Sequence, residues 1–222
     1  MIITIDGPSA SGKSTVAREV ARKINFYYLA SGLLFRAFAY IASKHGMYDH
    51  DALLHSSDEK IKEIINSERL VYKYENGHEQ VFYEGQDITP NLKTNLIDQY
   101  ASIGAQDQRV RQAIDEYMRN LAQSHNVVTE GRDMGTTVFP HAEFKFFLTA
   151  SDEVRVKRWQ KDQAHKGIHY SYDQAYVEVI ERDKRDQMRE FSPLACPKDA
   201  CVIDNSNLTI EQTVEKIIAH IT

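Results

Sequence analysis

Gly7-Pro8-Ser9-Ala10-Ser11-Gly12-Lys13-Ser14 is the stretch on which the fold turns. It fits the pattern GxxxxGK(S/T). Ahead of it, Ile2-Ile3-Thr4-Ile5-Asp6 is a short β-branched run that reads as a buried strand. Behind it, Lys13 to Ile24 reads as a helix with Val16, Val20 and Ile24 on one face. The motif needs that context, because backbone N–H groups at a helix start are what surround phosphate oxygens. Gly7 and Gly12 permit the wrapped backbone, and Pro8, Ser9, Ala10, Ser11 and Thr15 complete the loop. Lys13, expected as an exposed loop lysine, brings positive charge to the β- and γ-phosphates of a triphosphate. The Ser14 hydroxyl suits Mg²⁺. The bland alternative, a glycine-bounded surface turn, fits the flanking strand and helix poorly.

The remainder of the chain is consistent with a globular α/β protein. It has 222 residues, 42% of them hydrophobic and 27% charged, enough to bury a core without disulfides or metal staples. A net charge of -5 argues against a protein whose main task is coating nucleic acid. Cys196 and Cys201 lack C-x₂-C spacing and read as ordinary thiols. No apolar run approaches the roughly 20 residues of a membrane span. The N-terminal run lacks a basic leader, so a cytoplasmic protein is expected, with no membrane or nucleic-acid partner. His165 and His169 are four apart, but Gly167 lies between them and no third ligand is near, which disfavours zinc.

Strand and helix signals alternate, which predicts a parallel sheet covered by helices. Tyr27–Leu29 and Cys201–Asp204 are further strand candidates, as are the runs 126–130 and 143–149. Helices are expected over 31–44, with Ser31 as N-cap, and over 107–124, 151–165, 172–188 and 209–220. The stretch from about 47 to 90 changes character. A short helix over 58–66 is followed by two alternating runs, 69–74 and 79–84, around Asn76-Gly77. Asn-Gly is a strong hairpin signal, since both residues tolerate positive φ. An antiparallel hairpin within a parallel pattern predicts an inserted lobe.

A nucleotide loop does not name a reaction, but several arginines stand in recognisable company. SGLLFR (31–36), GRDMGTTVFP (131–140), ERDKRDQMR (181–189) and IDNSNLTIEQ (203–212) join IDGPSASGKST (5–15) in an order and spacing that resemble the bacterial cytidylate kinases. The resemblance spans nearly the whole chain. It implies a single nucleoside monophosphate kinase domain with a P-loop NTPase-type parallel sheet. Its core is expected over about 1–46, 91–150 and 190–222, its monophosphate-binding insert over about 47–90, and a helical lid over about 151–189. It implies transfer of the ATP γ-phosphoryl group to CMP or dCMP with Mg²⁺, in pyrimidine nucleotide metabolism, by a protein read as a monomer. UMP as acceptor and a non-catalytic nucleotide switch are the competing readings.

Carried over by position, the resemblance implies an acceptor site of Ser31, Arg36, Ser102, Arg111, Gly131, Arg132, Asp133, Arg182, Asp186 and Arg189. Lys13, Arg132, Asp133 and Arg189 would act in the reaction itself. Arg36, Arg132 and Arg189 suit the acceptor phosphate, because guanidinium offers paired donors. Ser102, Arg111 and Asp133 suit the cytosine edge, and Asp186 with Arg182 suits the ribose. Arg155 and Arg158 are candidate contacts to ATP from the lid, where residues 145–189 hold ten Lys and Arg against eight Asp and Glu, or else partners of Asp152 or Asp162 along a surface helix. The bland readings of Asp133 are a helix N-cap or a loop carboxylate paired to Arg132; Asp6 reads as a turn residue or as an indirect contributor near the metal. Ala30 and Phe35 depart from the family, which commonly has aspartate and tyrosine there. Gln108 stands where it often has proline, and Ser14 where related kinases often have glycine.

Overall fold

The computed structural model describes residues 1–47 and 49–221, without the side chains of His50 and Leu54. Tyr48, inside the expected inserted lobe, and Thr222 lie outside the described residues. In chain order the elements are β1 (Ile2–Asp6), α1 (Lys13–Ile24), β2 (Tyr27–Ala30), α2 (Ser31–Lys44), α3 (His50–Leu54), α4 (Asp58–Ile64), β3 (Leu70–Glu75), β4 (His78–Tyr83) and β5 (Gln86–Asp87). They continue with α5 (Asn95–Gly104), α6 (Gln108–Ala122), β6 (Val127–Gly131), β7 (Phe144–Thr149), α7 (Asp152–His165), α8 (Tyr172–Gln187), β8 (Cys201–Asp204) and α9 (Ile210–Ile221). Five strands form one sheet in the order β2-β6-β1-β7-β8, and β3-β4-β5 form another. The β1–β6, β1–β7 and β7–β8 pairs are parallel. The order matches the α/β expectation. Among the described residues no helix is long and apolar enough to cross a membrane.

The chain divides into two compact units, residues 1–26 with 127–222 and residues 27–126. In the first, β1 is a central strand, and Ile3, Thr4, Ile5 and Asp6 are all buried. Burial on both faces explains why its sequence is a near-continuous apolar run. Val16 and Val20 of α1, Phe146 and Leu148 of β7, and Val214 and Ile217 of α9 are buried around it. α7 and α8 form a helical hairpin with a small core of its own, Val156, Ala175 and Val179, covered by Trp159 and Tyr170. Ser151 caps α7 through the Val154 N–H, and α8 starts with a capping box in which Ser171 and Gln174 satisfy each other's backbone N–H groups.

In the second unit the expected hairpin is present, with β3 and β4 paired antiparallel and Asn76 and Gly77 both at positive φ, 53° and 80°. Tyrosine hydroxyls stitch it down. Tyr117 Oη accepts from Tyr72 N and donates to Leu70 O, both at 2.9 Å. Tyr72 Oη donates to Tyr28 O at 2.9 Å and accepts from Ala30 N at 3.1 Å. Each hydroxyl serves as both donor and acceptor, so buried backbone groups beyond the ladder are satisfied. One expectation fails here. Ser31 is not the N-cap of α2; Ala30 holds that position without a side-chain bond, and Ser31 is the first helical residue. Helix α5 had no counterpart in the sequence reading.

Candidate functional site

The loop leaves the buried end of β1 and wraps into α1. Gly7 has φ +151°, Ala10 φ 55° and Gly12 φ 89°. Gly12 is the N-cap of α1, and no side chain caps the helix there. The helix therefore opens without a side-chain acceptor, as a loop meant to receive an anion requires. Gly7 is forced by space as well as by angle. A Cβ there would lie 2.1 Å from the carbonyl oxygen of Leu148 in β7. Replacing Gly7 with alanine is expected to cost at least about 2 kcal/mol, since strand and loop must part. A melting curve superposable on the parent's would contradict this.

Lys13 is only 5% exposed, not the open loop lysine its sequence position suggested. Its Nζ donates to Pro8 O at 2.6 Å and to Ser11 Oγ at 3.4 Å. Burial, followed by the nearby Arg132 cation, brings its pKa down to about 7. The ammonium is thus poised for the charge of a polyphosphate. Ser14, one residue on, is exposed at the first turn of α1.

Beyond β6, Arg132 and Asp133 lead into a five-residue π-helical turn, Met134–Val138. Asp6 secures that turn. Its two carboxylate oxygens accept from Met134 N at 2.9 Å and Gly135 N at 2.7 Å. Burial outweighs those bonds and pushes the Asp6 pKa up to about 6. Gly135 has no room for a Cβ, which would meet Thr4 Oγ1 at 2.8 Å and Pro197 Cγ at 2.9 Å. Asp6 is therefore a brace rather than a mere turn residue. Asp133 is buried at the N-cap position of that turn, and its side chain makes no capping hydrogen bond there.

Arg132 is the hub. Its Nε donates to Asp186 Oδ2 at 2.7 Å, its Nη2 to Ser9 Oγ at 3.2 Å and its Nη1 to Gly131 O at 3.4 Å. Arg189 donates to the other oxygen of Asp186. Burial works against the Asp186 carboxylate, yet Arg132, Arg189 and Arg182 together hold its pKa below the ordinary range. Arg132, Asp186 and Arg189 thus gather beside the loop with Arg182 near them, and Arg132 is close enough to lower the Lys13 pKa.

Arg155 and Arg158 both bond to the backbone of the loop. Arg155 is buried, with its guanidinium held by Asp183, by Asp152 Oδ1 at 2.6 Å and by Ser9 O at 3.0 Å. Arg158 Nη1 donates to Ser11 O at 3.3 Å and Asn205 Oδ1 at 3.0 Å. Both brace loop carbonyls. Asn205 adds a bond of its own from Nδ2 to Ser11 O at 2.9 Å. Asn205 and Asp183 were not singled out in the sequence. The first sits in IDNSNLTIEQ, a quoted motif; the second is hidden in a charge-rich helix.

In the second unit, Arg36 of α2 is bound at Nε by Asp98 Oδ1 of α5, at 2.5 Å. Ser31 is buried at the start of α2 and Ser102 is half-buried on α5. Arg111 of α6 is 3% exposed, its guanidinium 5.3 Å above the Phe35 ring and its Nη1 on Ala105 O at 3.1 Å. Since α5 and α6 each pack on α2, these four residues lie on neighbouring helices. Phe35 supplies the face of that cation–π contact, so its departure from tyrosine leaves the packing role intact.

The cytidylate kinase family model matches residues 3–222. The chain is 39% identical to a cytidylate kinase of Thermodesulfovibrio yellowstonii over 98% of this chain and 96% of that one. It is 36% identical to one from Caldicellulosiruptor bescii, over 97% and 93%. Similar solved structures include an uncharacterized protein from Eubacterium ventriosum, with TM-score 0.55 and 13% identity over 100% of this chain and 98% of that one. Another is a shikimate kinase from Bacteroides thetaiotaomicron, with TM-score 0.50 and 12% identity over the same shares. At such identities the solved structures show the fold alone. The family match, together with the loop and its arginines, settles membership: the chain belongs to the cytidylate kinase family.

Proposed function

We propose that the protein transfers the γ-phosphoryl group of ATP to CMP or dCMP, giving ADP and CDP or dCDP, as a monomer in the cytoplasm. What carries this reading is the meeting of Arg132 with the loop: its guanidinium touches Ser9 while held by Asp186. A cation so placed faces both a donor and an acceptor phosphate.

The acceptor nucleophile is a phosphate oxygen, already anionic, so the reaction needs no strong general base. The obstacle is bringing two polyanions into line. Lys13 and the loop N–H groups hold the donor, and Arg132 and Arg189 the acceptor phosphate, with Arg36 as a further clamp. Asp186 and Arg182 are assigned to the ribose. Ser102, Arg111 and Asp133 are assigned to the base, a carboxylate for the exocyclic amine and the others for its acceptors. Ser31 and Gly131 are assigned to the acceptor by the resemblance. Residues 47–90 serve as the acceptor-binding insert and 151–189 as a lid that excludes water, which would otherwise take the phosphoryl group.

Magnesium fits the residues present. Ser14 offers an exposed hydroxyl, a hard oxygen, while both oxygens of Asp6 are engaged by backbone N–H groups. One protein oxygen plus phosphates and waters is the usual Mg²⁺ arrangement with nucleotides. Bound there, the ion shields charge on the transferring group.

The test is an ADP-release assay across the nucleoside monophosphates. CMP and dCMP are expected to exceed AMP, GMP and UMP by at least about tenfold in kcat/KM, because unpaired buried polar groups penalise the wrong base. Equal or better turnover of another monophosphate would overturn the substrate assignment.

A further inference from the structure

Two carboxylates on α8 are out of place for their surroundings. Glu181, Lys184, Arg185 and Gln187 are exposed, as a charge-rich helix predicts, yet Asp183 and Asp186 are only 5% and 3% exposed. Carboxylates are rarely buried unless something holds them. Three residues apart, they lie on one face of the helix, one turn from each other. Asp186 holds Arg132. Asp183 holds the phosphate loop itself: its Oδ1 accepts from Ser9 N at 2.7 Å, and its Oδ2 is paired with Arg155. Arg155 in turn donates to Ser9 O at 3.0 Å, so the Ser9 residue is gripped at both its N–H and its carbonyl. Arg132 takes the third polar atom, the Ser9 hydroxyl, at 3.2 Å.

These contacts close a ring from Ser9 to Asp183, along one turn of α8 to Asp186, across to Arg132 and back to Ser9. We propose that Asp183 is a positioning residue that couples the donor loop to the acceptor-binding arginine. It touches neither nucleotide. Through α8 it fixes where Ser9 stands relative to Arg132, so a loop ordered by ATP presents Arg132 already aimed. Each nucleotide then binds more tightly when the other is present. The inference rests on the cytidylate kinase reading above and adds a residue to it.

The experiment is titration calorimetry of the full chain with a non-hydrolysable ATP analogue, with and without saturating CMP. The parent is expected to bind the analogue at least about fivefold more tightly with CMP present. Asp183→Asn keeps the shape and one acceptor, but turns an amide N–H₂ toward the Arg155 guanidinium. It is expected to reduce the coupling to below about twofold while CMP alone binds as in the parent. Ser9→Ala opens the ring at the Arg132 hydroxyl bond instead and is expected to lose coupling equally. It carries the test if Asp183→Asn melts early. Parental coupling in a folded Asp183→Asn or in Ser9→Ala would overturn the proposal, as would a parent that binds both ligands without synergy. A parent that binds the analogue but no CMP would overturn the cytidylate reading and this inference with it.

Discussion

Replacing Lys13 with alanine is expected to lower kcat by at least about 100-fold while leaving the fold intact. The ammonium is the buried cation at the centre of the loop, and its charge is costly without a nucleotide. Burial, with Arg132 nearby, has already brought its pKa to about 7. Removing it forfeits the bond to Pro8 O but relieves that burden, so the melting temperature is expected to stay within a few degrees of the parent's. Collapse of the fold would contradict the assignment.

The depressed pKa gives the prediction a pH signature. In the free protein Lys13 loses its proton as pH rises through about 7. A triphosphate favours the charged form, so binding takes up a proton above that pH. Affinity for the ATP analogue is therefore expected to fall as pH rises from 7 to 9, by up to about tenfold per unit. Lys13→Arg, whose charge does not titrate in that range, is expected to lack the slope. An equal slope in both would show that Lys13 is not its source.

Arg132→Ala is expected to reduce kcat/KM for CMP by about 100- to 1,000-fold, with losses in kcat as well as KM. A guanidinium that clamps the acceptor phosphate keeps its grip as charge spreads in the transition state, so a pure KM effect is not expected. The substitution also strips Asp186 of one of its arginines, leaving a carboxylate at 5% side-chain exposure with Arg189. A moderate drop in melting temperature is expected alongside the kinetic loss. Arg132→Lys is expected to recover little, since one ammonium cannot span Asp186, Ser9 and a phosphate. Steady-state kinetics with varied CMP at saturating ATP decides this. Unchanged kcat would remove Arg132 from the chemistry.

Much of this was legible before the structure. The loop announces itself because glycine spacing, lysine and flanking periodicity all agree. The hairpin announces itself through Asn76-Gly77. Helix α5 was silent for a physical reason. Its buried side includes Ala101 and Gly104, which read as neutral rather than apolar, and a Cβ on Gly104 would press on Phe38 Cδ1 at 3.3 Å. The Met134–Val138 turn was silent because five residues hold no period, and its cause, the Asp6 carboxylate, lies more than a hundred residues upstream. Asp183 was hidden by company. In ERDKRDQMR every position but Met188 is polar, and only packing reveals which carboxylates are buried. For Arg155 and Arg158 the charge was visible, and with it the Asp152 partner of Arg155, whereas their loop carbonyl partners were not.

Phosphorus NMR of the protein with ATP, Mg²⁺ and CMP follows the transferred group itself. The γ-phosphorus of ATP is expected to reappear as the β-phosphorus of CDP, with ADP in equal amount and little inorganic phosphate. Inorganic phosphate as the sole product, or ATP left intact beside bound CMP, would contradict the phosphoryl transfer on which the whole account depends.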